Sequence, residues 1–496
     1  MSHAVRPARR KLVWAAACLL VMIGALVLLR RPLMAAAITS SLKMAGAGDV
    51  QFAVTEASPW GVQLENLGFN LRTQRFDARR VTIDRARWWQ TSLGAVKVEG
   101  LRVPVTIDGS DTNPWAWATY SGGGGGGSAG DFAVPAEQLS VDGVLVVQAA
   151  GQPAQDLTIK FEAKLGANNR WTGSVDASAP GFVVQAEGDF DYPQQALGFR
   201  VTRGELDLAH WAGFIQSLIV LPGGRWELAG QLSATLTGSY ANDKFAANGR
   251  VQLRDGRFVY PERNVTAESV QADFTFSDFD AVVSEPGTVT MRELRAGEIV
   301  AKNLEFELAF AGPDKIAVTR ARLRAFGGTL SAEPFRFFPK NNELDATLIA
   351  DAIVVEQVLA LAKDVPAKAT GLVDGRLPIR IDSGGLRLGT GYLELKPGAY
   401  AEVQFNASGL LTRGVAPSNP SYPTLKKVES GLLRLRLTEL RLDIRPPNAP
   451  PGRSATIRLA GEPVDKDVKA PVNLNLNVNG PLEQLLNLGF DKRLSF

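Results

Sequence analysis

One short stretch near the end of the chain, residues 471–480, constrains the fold more than any other. Four apolar residues, Val472, Leu474, Leu476 and Val478, alternate there with asparagines. An extended strand has a side-chain period of two, so it places all four apolar residues on one face. The other face is uniformly polar, which is typical of an antiparallel sheet with one dry side and one wet side. The pattern predicts a β-protein.

The same alternation recurs along most of the chain after residue 49, with turn signals between short strands. The longest alternating stretches contain Leu304, Phe306, Leu308, Phe310, Leu377, Ile379, Ile381, Leu386, Leu388, Leu393, Leu395, Leu433, Leu435 and Leu437. Asp-Gly pairs at 142–143, 255–256 and 374–375 predict turns. Helical spacing at 207–218, 355–363 and 481–488 predicts three short helices. We therefore expect a mainly β fold: a long, twisted, mostly antiparallel sheet with a few short helices.

Composition agrees with strands and turns. The 496 residues include 49 glycines and 28 prolines but only 5 methionines, a balance that suits strands better than helices. Lysine and arginine total 54 against 51 aspartates and glutamates, so the nearly neutral chain gives no general indication of nucleic-acid binding. The single cysteine, Cys18, excludes an intramolecular disulfide framework.

An uncharged apolar run, residues 12–29, lies between basic residues on both sides. As a helix it would be about 27 Å long, close to the hydrocarbon thickness of a bilayer. It predicts a transmembrane anchor over residues 12–31, with a basic cytoplasmic tail at 1–11 and a helical extension at 32–48. The alternative is a cleaved signal peptide, but this run is longer than usual, and Arg30, Arg31 and Pro32 separate it from the small residues that follow.

A glycine-rich segment, residues 121–130, divides the predicted strands of 49–120 from a long β domain at 131–496. Its composition is typical of a flexible linker. The alternation resumes unchanged after it, so we expect residues 49–120 to form the first strands of the same sheet rather than a separate module.

No group of residues in the sequence indicates catalysis. Residues 126–130 match the Gly-x-Ser-x-Gly motif of serine hydrolases, but this serine follows a glycine run, and His210 is the only histidine after it. Asp278 and Asp280 begin like a calcium loop, but Val289 stands where a bidentate glutamate is needed. We therefore predict no enzymatic activity, no cofactor and no metal.

The function then depends on how the apolar face is covered. A one-faced sheet can close into a sandwich filled by its own side chains, which would suit an envelope scaffold or assembly factor. It can also stay open as an apolar trough, and an exposed apolar surface of that size needs a partner such as an acyl chain. Periodicity alone favours the sandwich and leaves both open.

Several segments between residues 320 and 490 point to a known group of proteins. They are Ala325–Thr329, Pro334–Phe335, Ile353–Leu361, Gly371–Ile379, Leu386–Leu388, Gly391–Leu393, Pro397–Gly398, Leu459–Pro463, Pro471–Leu476 and Leu485–Leu486. In these segments the chain resembles the AsmA-like group of envelope proteins, and within it the YdbH-type branch.

The resemblance implies a single-pass protein of the bacterial inner membrane, anchored by residues 12–31, with most of the chain in the periplasm. It implies a sheet curled into a U-shaped apolar groove that conducts phospholipid between the inner and outer membranes. Phospholipids are then the expected cargo, and an outer-membrane protein is a candidate partner. On this hypothesis acyl tails lie against the alternating residues named above, including those of 472–478. The alternative remains a membrane-anchored scaffold with a packed β-sandwich interior.

Overall fold

The computed structural model shows a mainly β protein, which confirms that part of the predicted fold. The residues that the structure describes are 30–44, 46–58, 60–71, 74–85, 93–107, 136–149, 151–191, 194, 196–218, 226–241, 244–297, 299–341, 343–360, 367–382, 385–405, 409, 412–446, 453–464 and 471–479. Within them, 27 strands make up nearly all of the regular structure.

The chain divides into two units. Unit 1 is Met1–Leu206, Gly213–Val220 and Thr235–Ala246, and unit 2 is Asp207–Ala212, Leu221–Ala234 and Ala247–Phe496. Unit 1 contains helix α1 (residues 30–44) and the strands β1 (Ala47–Ser58), β2 (Gly61–Leu71), β3 (Gln74–Asp84), β4 (Leu93–Ile107), β5 (Ala136–Ala149), β6 (Gln155–Leu165), β7 (Arg170–Ala179) and β8 (Phe182–Asp191). Four elements contribute residues to each unit: β9 (Ala196–Asp207), α2 (Leu208–Leu218), β10 (Glu227–Ala241) and β11 (Lys244–Tyr260).

Unit 2 contains the remaining elements. Its helices are α3 (Val355–Leu359) and α4 (Tyr422–Leu432). Its strands are β12 (Val265–Asp278), β13 (Val283–Ser284), β14 (Gly287–Ala296), β15 (Ile299–Phe310), β16 (Ile316–Ala325), β17 (Gly328–Ala332), β18 (Phe335–Phe338), β19 (Glu343–Val354), β20 (Ala367–Thr370), β21 (Leu372–Asp382), β22 (Gly385–Leu388), β23 (Gly391–Leu395), β24 (Glu402–Phe405), β25 (Arg434–Ile444), β26 (Arg453–Pro463) and β27 (Val472–Asn479).

Strand pairing in unit 1 is antiparallel except at one place. Strands β1 to β4 pair in sequence order, and so do β5 to β9. Strands β4 and β5 are parallel, with Val96 opposite Leu139 and Val98 opposite Val141. Parallel neighbours require a crossover connection rather than a tight turn. The glycine-rich segment 121–130 belongs to that connection and lies outside the described residues.

Pairing in unit 2 is antiparallel wherever the register is defined. The order runs from β11 through β12, β14 and β15 to β16, whose two halves pair with β17 and β18. Both of these pair with β19, which continues through β21 to β22 and β23. Strand β25 then pairs with β23 and β24 along one edge and with β26 along the other, and β26 pairs with β27.

Several strands of unit 2 contain an extra residue that interrupts the alternation. Asn303 in β15 and Ala352 in β19 have left-handed backbones, with φ of 50° and 55°, and the pairing register shifts at both. Ala301 and Leu304 are three residues apart for this reason, yet both are buried. In β19 the N–H of Ala352 donates to Asp374 Oδ1 at 2.7 Å. Bulges of this kind bend the strand while keeping its apolar residues on one face.

The prediction of turns at three Asp-Gly pairs was wrong. Residues 142–143, 255–256 and 374–375 all lie inside strands. Asp255 adopts the left-handed conformation, with φ of 50°, at a register shift in β11. A Cβ on Gly375 would lie 2.1 Å from the carbonyl oxygen of Tyr392 on β23. An Asp-Gly pair can form a turn, but it also occurs inside strands, at a bulge or where a neighbouring backbone lies too close for a side chain.

Glycines on the apolar side of unit 2 allow neighbouring strands to approach closely. A Cβ on Gly287 or Gly461 would lie 2.4 Å or 2.3 Å from a carbonyl oxygen of the adjacent strand. Both glycines stand opposite apolar residues, Leu308 and Leu437 respectively. A glycine inside a strand often marks a place where another backbone approaches closely. The close approaches here lie on the apolar face.

Helix α4 was not predicted from the sequence. Pro423 lies in its first turn, where a missing N–H is tolerated. The side chain of Glu429 is buried, and its carboxylate accepts hydrogen bonds from the N–H groups of Gly409 and Thr412 at 2.6 and 2.8 Å. These bonds attach the segment before α4 to the helix.

The close approach at Gly375 leads to a stability prediction. We expect Gly375→Ala to lower the free energy of unfolding by about 1–3 kcal/mol, because the added methyl group would overlap the backbone of β23. The matched control is Gly48→Ala in β1, where a Cβ meets nothing within 4 Å, and we expect a change within about 0.5 kcal/mol. Urea denaturation followed by tryptophan fluorescence measures both. Equal denaturation midpoints would contradict the close packing.

Candidate functional site

The apolar face of unit 1 consists of rows that run from strand to strand. In one row every residue stands directly opposite the next, and its members are Val54, Leu64, Val81, Val98, Val141, Phe161, Val175, Ala186 and Val201. One residue comes from each of β1 to β9. At about 4.8 Å between strands, the row is roughly 38 Å long. The parallel pair β4–β5 does not interrupt it.

Unit 2 has rows of the same kind. The first contains Leu253, Ala272, Val289, Phe306, Ala321, Ala332, Leu348 and Leu377. The second contains Leu323, Leu330, Ala350, Gly375, Leu393, Leu442, Ile457 and Leu476. No position in either row is polar. Each row therefore offers an apolar path across eight strands, roughly 34 Å long.

Large side chains in these rows remain partly exposed. Phe306, Leu348 and Leu377 have intermediate accessibility, whereas the smaller Ala321 between them is buried. Large neighbours can cover a small residue from the sides, but covering a large residue fully requires a second layer above it. Over the described part of these rows, the apolar face is therefore only partly covered by the protein itself.

The predicted lining residues differ in exposure. Those that are partly exposed are Phe306, Leu308, Phe310, Leu377, Ile379, Ile381, Leu388, Leu393, Leu395, Val472 and Leu474. Leu304, Leu435 and Leu437 are buried at 1%, 1% and 5% exposure, and Leu476 is 42% exposed. Leu433 is partly exposed and lies between α4 and β25 rather than in a strand. The structure does not describe the side chains of Leu386 and Val478.

Leu435 and Leu437 belong to a closed core in unit 2, whereas Leu304 lies in a separate cluster with Ala301 and Ala325. Leu435 and Leu437 of β25 pack with Val373 of β21, Val403 of β24 and Val355 at the start of α3. Other residues of α3 and β23 pack against the same cluster. The second row passes through this core, since Ala350 belongs to it and Leu330, Leu393 and Ile457 pack against it. The more accessible part of the apolar face is therefore the first row, which contains Phe306 and Leu377.

An aromatic cluster that sequence analysis did not identify extends the apolar face onto β12. Phe310 lies 5.1 Å from Phe274 and 5.6 Å from Phe276, and Phe276 stacks on Phe279 at 4.7 Å between ring centroids. Phe310 was among the predicted lining residues, whereas the other three were not. The alternation of Phe274 and Phe276 in β12 was the signal available in the sequence.

The opposite face of the sheet is held by ion pairs between neighbouring strands. Arg441 of β25 contacts Glu394 of β23 at 2.7 Å and Asp443 at 2.9 Å, and Arg458 of β26 also pairs with Asp443. The Arg441 guanidinium lies 4.9 Å from the centre of the Tyr392 ring. These groups point away from the apolar rows, so the two faces of the sheet differ strongly in polarity.

The carboxylate of Asp443 is contacted by two arginines of this network, Arg441 and Arg458. Burial raises its pKa, but the hydrogen bonds from Arg458 and Arg441 outweigh that effect, and the pKa of Asp443 is lower than usual. A carboxylate with a lowered pKa stabilises the fold at pH values above its unfolded pKa, near 3.9. That stabilisation is lost as the pH falls through the folded pKa.

We therefore expect Asp443→Asn to lower the free energy of unfolding by about 0.5–1 kcal/mol at pH 7. The difference from the unsubstituted protein should persist from pH 8 to pH 5 and disappear in stronger acid, where both proteins lack the charge. Urea denaturation at a series of pH values measures this. A difference that is unchanged in strong acid would show that the carboxylate acts by packing rather than by charge.

His210 and Asp278, which were considered for catalysis or metal binding, do not form such a site with other described residues. His210 is exposed in the first turn of α2, where Asp207 Oδ1 accepts its N–H at 3.3 Å. Asp278 Oδ1 accepts the N–H groups of Asp280 and Ala281, as in an ordinary turn. Within the described residues, no three His, Cys, Asp or Glu side chains are grouped so that they could hold a metal ion. Residues 126–130 lie outside them.

The predicted membrane span also lies mostly outside the described residues. Residues 30 and 31 of the predicted span at 12–31 are the first described residues of α1. In the part of the chain that the structure describes, no helix combines the length and the hydropathy needed to span a membrane.

Comparison with known families gives one match. The model of a family described as YdbH-like, intermembrane phospholipid transport protein YdbH, matches residues 114–398, which is more than half of the chain. The matched range includes β5 to β23 and the row from Leu253 to Leu377. No curated protein and no solved structure matches the chain.

Proposed function

The chain belongs to the YdbH-like family of intermembrane phospholipid transport proteins, and from this premise we propose that it conducts phospholipid along its apolar rows. The supporting observation is that large aliphatic and aromatic residues form uninterrupted rows and stay partly exposed. Acyl tails lie against the rows, and the protein acts as a conduit rather than as an enzyme.

The physical basis of the proposal is the uniformity of the rows. Each methylene group of a tail that leaves water gains about 0.8 kcal/mol. Each step along a row brings the tail from one apolar residue to the next. The tail therefore replaces one apolar contact with another and crosses no polar group. Binding is thus favourable along the whole row and movement along it is not strongly opposed. The headgroup stays in water and needs no specific partner.

Close contacts and bulges in the strands of unit 2 support the same function. Close backbone contacts at Gly287, Gly375 and Gly461 lie on the apolar face, and bulges bend β15 and β19. A sheet that is concave on its apolar side surrounds a tail on more than one side and removes more of it from water than a flat sheet would. We propose that the apolar face of unit 2 is concave in this way and forms the U-shaped groove.

We further propose that residues 12–31 anchor the protein in the inner membrane and that the β units lie in the periplasm. The apolar run at residues 12–29 leads directly into α1. An anchor at this position would place the first strands near the inner membrane. A protein of the outer membrane would be a partner in the exchange of lipid.

The alternative function, an envelope scaffold with a packed interior, makes a different prediction for the same residues. A filled sandwich buries large residues such as Phe306, Leu377 and Ile379, as the closed core around Leu435 does. These three residues are partly exposed, which favours the conduit.

Ile379 provides a direct test of the conduit. Ile379 follows Leu377 on the same face of β21 and stands opposite Ala346 and Leu388. We expect Ile379→Asp to abolish lipid passage, because an unpaired carboxylate beside the first row exposes each passing tail to a polar group. The matched control is Ile349→Asp. Ile349 is 41% exposed in β19 but stands opposite Ser331 and Arg376 on the polar face, so transport should remain. Phospholipid exchange between membranes measures both variants.

A photo-crosslinking residue at each of the same two positions tests occupancy. A lipid adduct is expected at position 379 and not at position 349. Lipid adducts at neither position, or at both equally, would argue against the apolar face as the lipid path.

A further inference from the structure

Helix α1 lies on the apolar face where the rows of unit 1 begin. Its side chains Met34 and Ile38 pack against a cluster formed by Val62 and Leu64 of β2 and by Ala78 and Val81 of β3. The two helical residues are one turn apart and therefore lie on the same side of α1.

Burial changes along a single row at the edge of this helix. Leu64 and Val81, which lie in the cluster that α1 contacts, are exposed by only 2% and 6%. The next three residues of the row, Val98, Val141 and Phe161, are all partly exposed. All five residues are apolar and stand in register, and the two most buried of them belong to the cluster against which Met34 and Ile38 pack.

The contact between α1 and the sheet is small. Met34 and Ile38 remain partly exposed themselves, and Ala35 and Thr39 beside them are short. Leu42, one turn further along the same side, is also partly exposed, and of the described helical residues Met34 and Ile38 are the ones that pack against the cluster. Leu33, on another side of the helix, is 58% exposed. A helix held by two aliphatic side chains can be displaced by another aliphatic group at little cost, and methionine adapts readily to a changed neighbour.

We propose that the face of β2 and β3 beneath α1 is an acyl-chain binding site that α1 covers and uncovers. A phospholipid tail enters the row by replacing Met34 and Ile38 on Leu64 and Val81. Because the tail and the two side chains are chemically alike, the exchange leaves the apolar face covered at every stage. This inference rests on the proposed conduit function and adds a gated entry site to it.

A reversible crosslink tests the site in the full-length protein. Cys18→Ser removes the only native cysteine, and Ile38→Cys is then combined with Leu64→Cys, Ala78→Cys or Val81→Cys. The control pairs the same strand cysteines with Leu33→Cys, whose position on the helix is exposed. A photo-crosslinking residue at Phe161, in the same row but beyond α1, reports lipid that has entered.

On oxidation, the cysteine of Ile38→Cys is expected to form a disulfide with the cysteine of at least one of the three strand variants. The cysteine of Leu33→Cys is expected to form a disulfide with none of them. In the oxidised protein the phospholipid adduct at position 161 should be lost, and reduction should restore it. A disulfide that forms fully and leaves this adduct unchanged would overturn the proposed gate. Failure of every Ile38→Cys pair to crosslink would overturn the packing on which it depends.

A second pair of variants tests the gate without a crosslink. Ile38→Ser weakens the contact of α1, so a photo-crosslinking residue at Leu64 should show a several-fold larger lipid adduct, whereas Leu33→Ser should leave it unchanged. An unchanged adduct in Ile38→Ser would contradict the gate. If the conduit proposal itself is wrong, the result differs from failure of the gate. The protein without a disulfide crosslink would then give no lipid adduct at position 161 or at position 379, and the proposed entry site would be wrong as well.

Discussion

The structure depends on register, the alignment that brings apolar residues of successive strands directly opposite one another. Alternation within a strand decides only that one face is apolar. Pairing Val81 with Val98 and Val98 with Val141, or Phe306 with Ala321, joins those faces into continuous rows. In most strands a slip of one residue would place a polar side chain in the row, as Glu305 or Glu307 would replace Phe306. Register is therefore the property on which both the fold and the proposed lipid path rest.

Bulges and glycines within the strands keep the rows aligned. Left-handed residues such as Asn303 and Ala352 add one residue to a strand and return the next apolar side chain to the correct face. Glycines such as Gly375 and Gly461 remove a Cβ where the neighbouring backbone is close. The polar face is held by cross-strand ion pairs that keep their charges away from the rows. Each of these features preserves the separation of the two faces.

The sequence predicted the strands and the identity of the apolar face because a period of two is a local signal. The residues from Leu377 to Ile381 illustrate this, since they alternate in both sequence and structure. Bulges were missed although their signal was present: Ala301 and Leu304, like Ala350 and Ile353, are spaced by three around a residue such as Asn303. The parallel pair β4–β5 and the cover of Leu64 by α1 depend on contacts distant in sequence, which periodicity does not report. Local pattern also could not separate Leu435, in the closed core, from Leu377, which remains partly exposed.

The most direct test of the central claim is a cryo-EM map of the full-length protein purified from membranes with its native lipid retained. The account predicts elongated acyl-chain density against the row that contains Phe306, Leu348 and Leu377, with headgroup density on the water-facing side. A map in which these side chains interlock with an opposing layer of the protein, with no density between them, would contradict it.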